Sequence, residues 1–187
     1  MAKIKPIEGI DFQKNLNDLL GSDILKAICK IKCENTLDEI IYRIDEYGKI
    51  ENVDVEKSNN KQSGRVWILV GRENIDSEAV SLQVGQSLDI LKEIKLDVRE
   101  MFSENNEKRF FYKDLKEKYD CLEFYELPID QYLEKYACEN IKEVIYEIAK
   151  EYYAEALVAY NTSSRNWGFY NSGMDKRAYF RILTDNK

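Results

Sequence analysis

RVWILVGRENIDSEAVSLQVGQSLDILKEIKLDV, from Arg65 to Val98, has the most definite local grammar in the chain. It holds two short apolar runs, WILV and SLQV, each followed by glycine. Trp67 to Val70 is apolar at every position, the pattern of a strand covered on both faces, and Val80 to Val84 reads as its neighbour after the return GRENIDSEA. Gly85 then permits a turn, Ser87 or Asp89 can cap a helix, and Ile90, Leu91, Ile94, Val98 and Met101 form that helix's apolar stripe. Strand, return, strand, tight turn and helix follow in that order.

Upstream, Phe12, Leu16, Leu19 and Leu20, then Ile24, Leu25, Ile28 and Ile31, fall at helical spacing. Thr36 and Glu39 make a capping box for a further helix carrying Leu37, Ile40, Ile41 and Ile44, which Gly48 can end. Residues 1–49 are therefore expected to form a helical extension, and residues 50–187 the main α+β domain. Ile50 to Val55 alternates as a strand, whereas EKSNNKQSG, residues 56–64, has no apolar member and reads as a loop.

Downstream, SENNEKR at residues 103–109 breaks the helical pattern, Phe110 to Tyr119 resumes it, and LEFYELP around 122–128 is a third main strand stopped by Pro128. The run from Ile129 into Asn161 reads as strongly helical, with Ile141, Ile145, Ile148 and Tyr152 on one face. That spacing continues to Glu155 and Ala159, so Glu155 projects from an apolar stripe. A buried carboxylate there requires a metal, an arginine or a proton, and a structural salt bridge competes with a ligand role. The end of the chain is rich in Asn, Ser, Gly and aromatics: SSRNWGFYNSGMDKR reads as a long loop and AYFRIL as a final strand. From Arg165 onward, Arg165, Lys176, Arg177, Arg181 and Lys187 face only Asp175 and Asp185. Aromatics interleaved with cations and Asn suit stacking on bases and contact with phosphate, and equally a protein interface.

Composition narrows the chemistry. The 187 residues, 44% of them apolar, suffice for one buried domain with embellishments. A net charge of −7 argues against a surface coated with non-specific affinity for nucleic acid, while leaving room for a local basic patch. The absence of histidine excludes Ser-His and Cys-His pairs, His-ligated zinc and an imidazole base within the chain. Cys29, Cys33, Cys121 and Cys138 lack the spacing of a zinc knuckle and read as free thiols. With no apolar signal core at the start and no run of membrane-spanning length, the expectation is a cytoplasmic protein without a membrane partner.

These residues carry a resemblance. SLQVGQSLDILKEIKLD is similar to the second strand and following helix of the GIY-YIG nuclease family, and VWILV to its first strand. EALVAYNTSSRN, from Glu155 to Asn166, resembles the family's later helix with its metal-binding Glu and downstream Asn. The resemblance covers roughly residues 65–168 and implies a small central sheet flanked by helices, with an insertion around 103–140. It implies Glu155 as ligand to Mg²⁺ or Mn²⁺ in an active member and Asn166 as its companion. The family's tyrosines fall at Trp67 and Gln83, neither of which offers a phenol, and its arginine falls at Glu93, a charge reversal. Asp97 occupies a further polar helix position, and Arg72, Lys92, Arg99, Tyr160 and Tyr170 are substitutes from elsewhere in the chain.

Phosphodiester hydrolysis needs an activated water, positive charge on the non-bridging oxygens and help for the leaving oxygen. Three classes follow. The first is a divergent GIY-YIG-like domain that lacks the standard catalytic set and binds nucleic acid or a protein partner, with Arg72, Arg165, Trp167, Lys176 and Arg177 as contact residues. The second is an active metal-dependent endonuclease with a rearranged site around Glu155. The third is an unrelated acidic α+β interaction, inhibitor or immunity protein. The substitutions at Trp67, Gln83 and Glu93 favour the first.

Overall fold

The structure, a computed structural model, describes residues 12–22, 25–51, 65–104, 110–139, 141–152, 155–161 and 164–167. In chain order the elements are α1 (Phe12–Leu20), β1 (Lys26–Lys32), α2 (Leu37–Ile50), β2 (Arg65–Arg72), β3 (Val80–Ser87), α3 (Ile90–Met101), α4 (Phe110–Lys118), β4 (Cys121–Leu127), α5 (Ile129–Tyr136), α6 (Ile141–Tyr152), β5 (Glu155–Asn161) and β6 (Ser164–Trp167). The strands form one six-stranded sheet in the order β1-β4-β2-β3-β5-β6. All neighbours are antiparallel except β3 and β5, so the fold is α+β around a mixed sheet.

Alternation along the central strands creates two cores. Trp67 and Leu69 of β2 join Leu122 and Phe124 of β4 beneath Ile40 and Ile44 of α2, Ile94 and Val98 of α3, and Tyr112 and Leu115 of α4. Val66, Ile68 and Val70 point the other way, to Leu16 and Leu19 of α1, Tyr132 of α5 and Val144, Ile145 and Ile148 of α6. Every residue of WILV is thus covered, as its unbroken apolarity requires. No helix among the described residues is long and apolar enough to cross a membrane.

The hairpin and helix expected from Arg65–Val98 are present. Asp89 caps α3, its Oδ1 accepting from the Lys92 N–H at 3.0 Å, and Ser87 Oγ accepts from the Asp89 N–H at 3.1 Å. The capping box of α2 also forms: the Glu39 N–H donates to Thr36 Oγ1 at 3.3 Å and the Thr36 N–H to Glu39 Oε2 at 2.9 Å. Gly48 does not end α2, which continues to Ile50. Its missing side chain instead admits α3, since a Cβ there would stand 2.6 Å from Leu91 Cδ1.

Two helical expectations are corrected. Residues 26–32 form an edge strand paired with β4, so this part of the chain contributes to the main sheet as well as to the helical layers. A bulge between Ala27 and Cys29 turns both Ile28 and Cys29 toward α2, and with Ile31 this produces the three-residue spacing that mimics a helix. Glu155 likewise opens a strand, because α6 ends at Tyr152. ALVAY is a continuous apolar run of strand length beside a parallel neighbour, and the helical stripe does not extend into it. The expected strand over Ile50–Val55 is replaced at its start by the end of α2, and residues 52–64 lie outside the described residues.

Candidate functional site

In the β2–β3 ladder Trp67 is paired with Gly85 and Leu69 with Gln83, with a bulge at the next step. Both Leu82 and Gln83 consequently reach the layer of α3 and α4: Leu82 joins that core, and the Tyr112 hydroxyl donates to Gln83 Oε1 at 2.9 Å. The Trp67 indole lies directly across Gly85, where an added Cβ would stand 2.2 Å from Cζ2. Only glycine permits this seat. Trp67 and Gln83 are fully buried, and neither Trp67 Nε1 nor Gln83 Nε2 has a hydrogen-bond partner among the described residues.

The β3–β5 register puts Glu155 beside Gln83. Asn166 does not meet them. It is paired with Val158 on the far side of β5, three residues further along and therefore about 10 Å down the strand. Arg165 and Trp167, expected in a loop, belong to β6, paired with Ala159 and Leu157. Glu93 and Lys92 lie in the first turns of α3, Glu93 partly and Lys92 largely exposed, while Asp97 is buried in the same helix. Lys176, Arg177 and Tyr170 lie outside the described residues. Among the described residues no three His, Cys, Asp or Glu side chains gather as a metal-ligand set.

Arg72 closes β2 at a different site. Its Nη1 donates to the Ser77 carbonyl at 2.8 Å, and its Nε stands 3.8 Å from Glu123 Oε2. Glu123, in β4, is buried to 4% side-chain exposure, yet Lys30, whose ammonium reaches its Oε1 at 2.8 Å, has a side chain 52% exposed. The Tyr125 hydroxyl donates to Glu123 Oε2 at 2.8 Å. Burial pushes the Glu123 carboxyl upward, but hydrogen bonds from Lys30 and Tyr125 and the charges of Lys30 and Arg72 outweigh it and hold the group below the usual carboxylate range. The same carboxylate and burial raise the Tyr125 phenol above its ordinary value, burial being the larger cause. Sequence reasoning named Arg72 and missed Glu123 and Lys30. The available signal was a charged residue between Leu122 and Phe124 in a strand with neighbours on both sides, a place that demands a charged partner.

Comparison with protein-family models, with curated proteins and with solved structures returned no match.

The two places differ in what they can do. The ladder around Trp67 has a neutral amide and an indole, and the nearby Tyr112 hydroxyl is committed to Gln83. The Glu123 cluster gathers charge at a surface. A third network, in which Glu126 accepts from Tyr47 and Arg65, fastens α2 to β4 and the start of β2.

Proposed function

We propose that the chain is a divergent GIY-YIG-like domain that has lost phosphodiester hydrolysis and acts by binding, with nucleic acid as its partner. The observation that carries this reading is the sealing of Trp67 over Gly85 beside a Gln83 held by Tyr112. In the resemblance these are the positions of the two phenols, and here they are core residues that no attacking water can use. Arg72, together with the run of Arg165, Trp167, Lys176 and Arg177, supports contact with phosphate and base in a chain that is otherwise acidic.

Incubation with plasmid DNA and with structured RNA, in Mg²⁺ and in Mn²⁺, tests the reading. The expected result is salt-sensitive binding with no cleavage that distinguishes wild type from Glu155→Ala. Metal-dependent cleavage abolished by that substitution would assign the domain to the active endonucleases. Absence of binding to either nucleic acid, with a defined protein recovered in stoichiometric complex, would transfer the binding role to a protein interface.

A further inference from the structure

The Glu123 cluster occupies the sheet face opposite Trp67. Successive rows across the sheet place Lys30, Glu123 and Val70 side by side, then Lys32, Cys121 and Arg72. Lys32 and Arg72 therefore stand two strands apart, about 10 Å between their backbones, with Lys30 on the same face one alternation back along β1. The three cations thus lie on two adjacent rows of one face, Lys30 in the row of Glu123 and Lys32 and Arg72 on either side of Cys121. Glu123 pairs with Lys30 and Arg72, and Lys32 makes no ion pair among the described residues.

Among the described residues the helices of the second core make their principal sheet contacts with β3 and β5; at this end of the face Lys30 and Ala27 of β1 are exposed and Lys32 and Arg72 partly so, while Cys121 and Glu123 between them are buried. Tyr125 lies half-buried on the same face, its hydroxyl donating to Glu123. Cations at the edge of a sheet beside a partly exposed aromatic suit an extended strand with its bases unstacked, and this face offers no helix to enter a duplex groove.

We propose that Lys30, Lys32 and Arg72 form a binding surface for the phosphodiester backbone of a single nucleic-acid strand. The proposal rests on the nucleic-acid-binding reading above and assigns it to a surface that faces away from the Trp67 ladder. Lysines on an edge strand also deter strand-to-strand association, which gives the surface a second, purely protective interpretation to be tested.

Fluorescence anisotropy with labelled oligodeoxythymidine, a matched single-stranded RNA and a duplex of the same length decides among these. Lys30→Gln with Lys32→Gln is compared with Lys49→Gln plus Lys113→Gln, an equal loss of charge on helices α2 and α4 over the other face. The expected result is single-strand binding weakened roughly ten- to thirtyfold at about 0.1 M salt by the first pair, with the salt slope reduced by about 1.4, and little change from the second. Equal weakening by both pairs overturns the surface, since net charge alone then accounts for it. Undiminished affinity in the first pair overturns it as well, whether or not that variant self-associates. If binding then falls with Arg165→Ala plus Trp167→Ala, the nucleic-acid reading stands and only the location is wrong. Preference for the duplex removes the single-strand assignment, and no binding by wild type to any of the three removes both readings.

Discussion

Gln83 and Glu123 sit on the two strands that flank β2, and each is a polar side chain buried in the middle of the sheet. Gln83 accepts one hydrogen bond from Tyr112, leaves its amide N–H groups without a partner among the described residues, and is closed off beneath α3 and α4. Glu123 draws Lys30, Tyr125 and Arg72 around it, and through Lys30 its network reaches water. The contrast follows from charge. A neutral amide can be sealed in at a cost of about 1–3 kcal/mol for an unmade bond, whereas a carboxylate must bring cations whose long side chains keep an opening to solvent. Trp67 and Gln83 are interior, and the cluster whose network reaches water lies on the other face.

Substitutions that break one side of this contrast differ in size. Trp67→Ala removes the largest side chain of the sealed ladder and is expected to cost about 3–5 kcal/mol in urea unfolding, with no effect specific to low pH. Gly85→Ala drives a methyl into the indole and is expected to cost about 1–3 kcal/mol. Combined with Trp67→Leu, the same Gly85→Ala should cost less than it does alone, because the collision is gone. An additive double mutant would show that the two residues do not share the space described.

Glu123→Gln is expected to cost about 1–2 kcal/mol at neutral pH, less than the loss of a wholly buried pair because Lys30 regains water. Its pH dependence sharpens the comparison. The folded-state pKa of Glu123 is depressed, so its stabilisation is present above the ordinary carboxylate value and is lost as pH falls through the depressed one. The stability gap between wild type and Glu123→Gln should therefore narrow on acidification. A gap independent of pH would show that the carboxylate's charge contributes nothing. Smallest is Thr36→Ala, which removes the cap of α2 and is expected to cost about 1 kcal/mol in urea unfolding.

Much of the fold is legible in the residues. WILV announces a doubly covered strand, Asp89 and Thr36 announce helix starts, and LEFYEL is recognisable as a central strand. What misleads is irregularity in the sheet. The bulge in β1 gives Ile28, Cys29 and Ile31 the spacing of a helix, and the bulge in β3 places Leu82 and Gln83 on one face where strict alternation separates them. The candidate site is less legible. The pairing of Glu155 with Gln83 depends on a parallel ladder between residues far apart in the sequence, well beyond the window of about 11–18 residues over which periodicity is read. The partnership of Lys30, Arg72 and Glu123 likewise joins three strands that no local spacing relates.

The sealed ladder can be observed directly, since the chain contains only two tryptophans, Trp67 and Trp167. With Trp167→Phe in place, all indole emission comes from Trp67. The account predicts blue-shifted emission, resistant to acrylamide quenching until the protein unfolds and unaltered by added single-stranded nucleic acid. Red-shifted emission, quenched freely in the native state or shifted on binding, would place Trp67 at an open site in contact with the strand and contradict it.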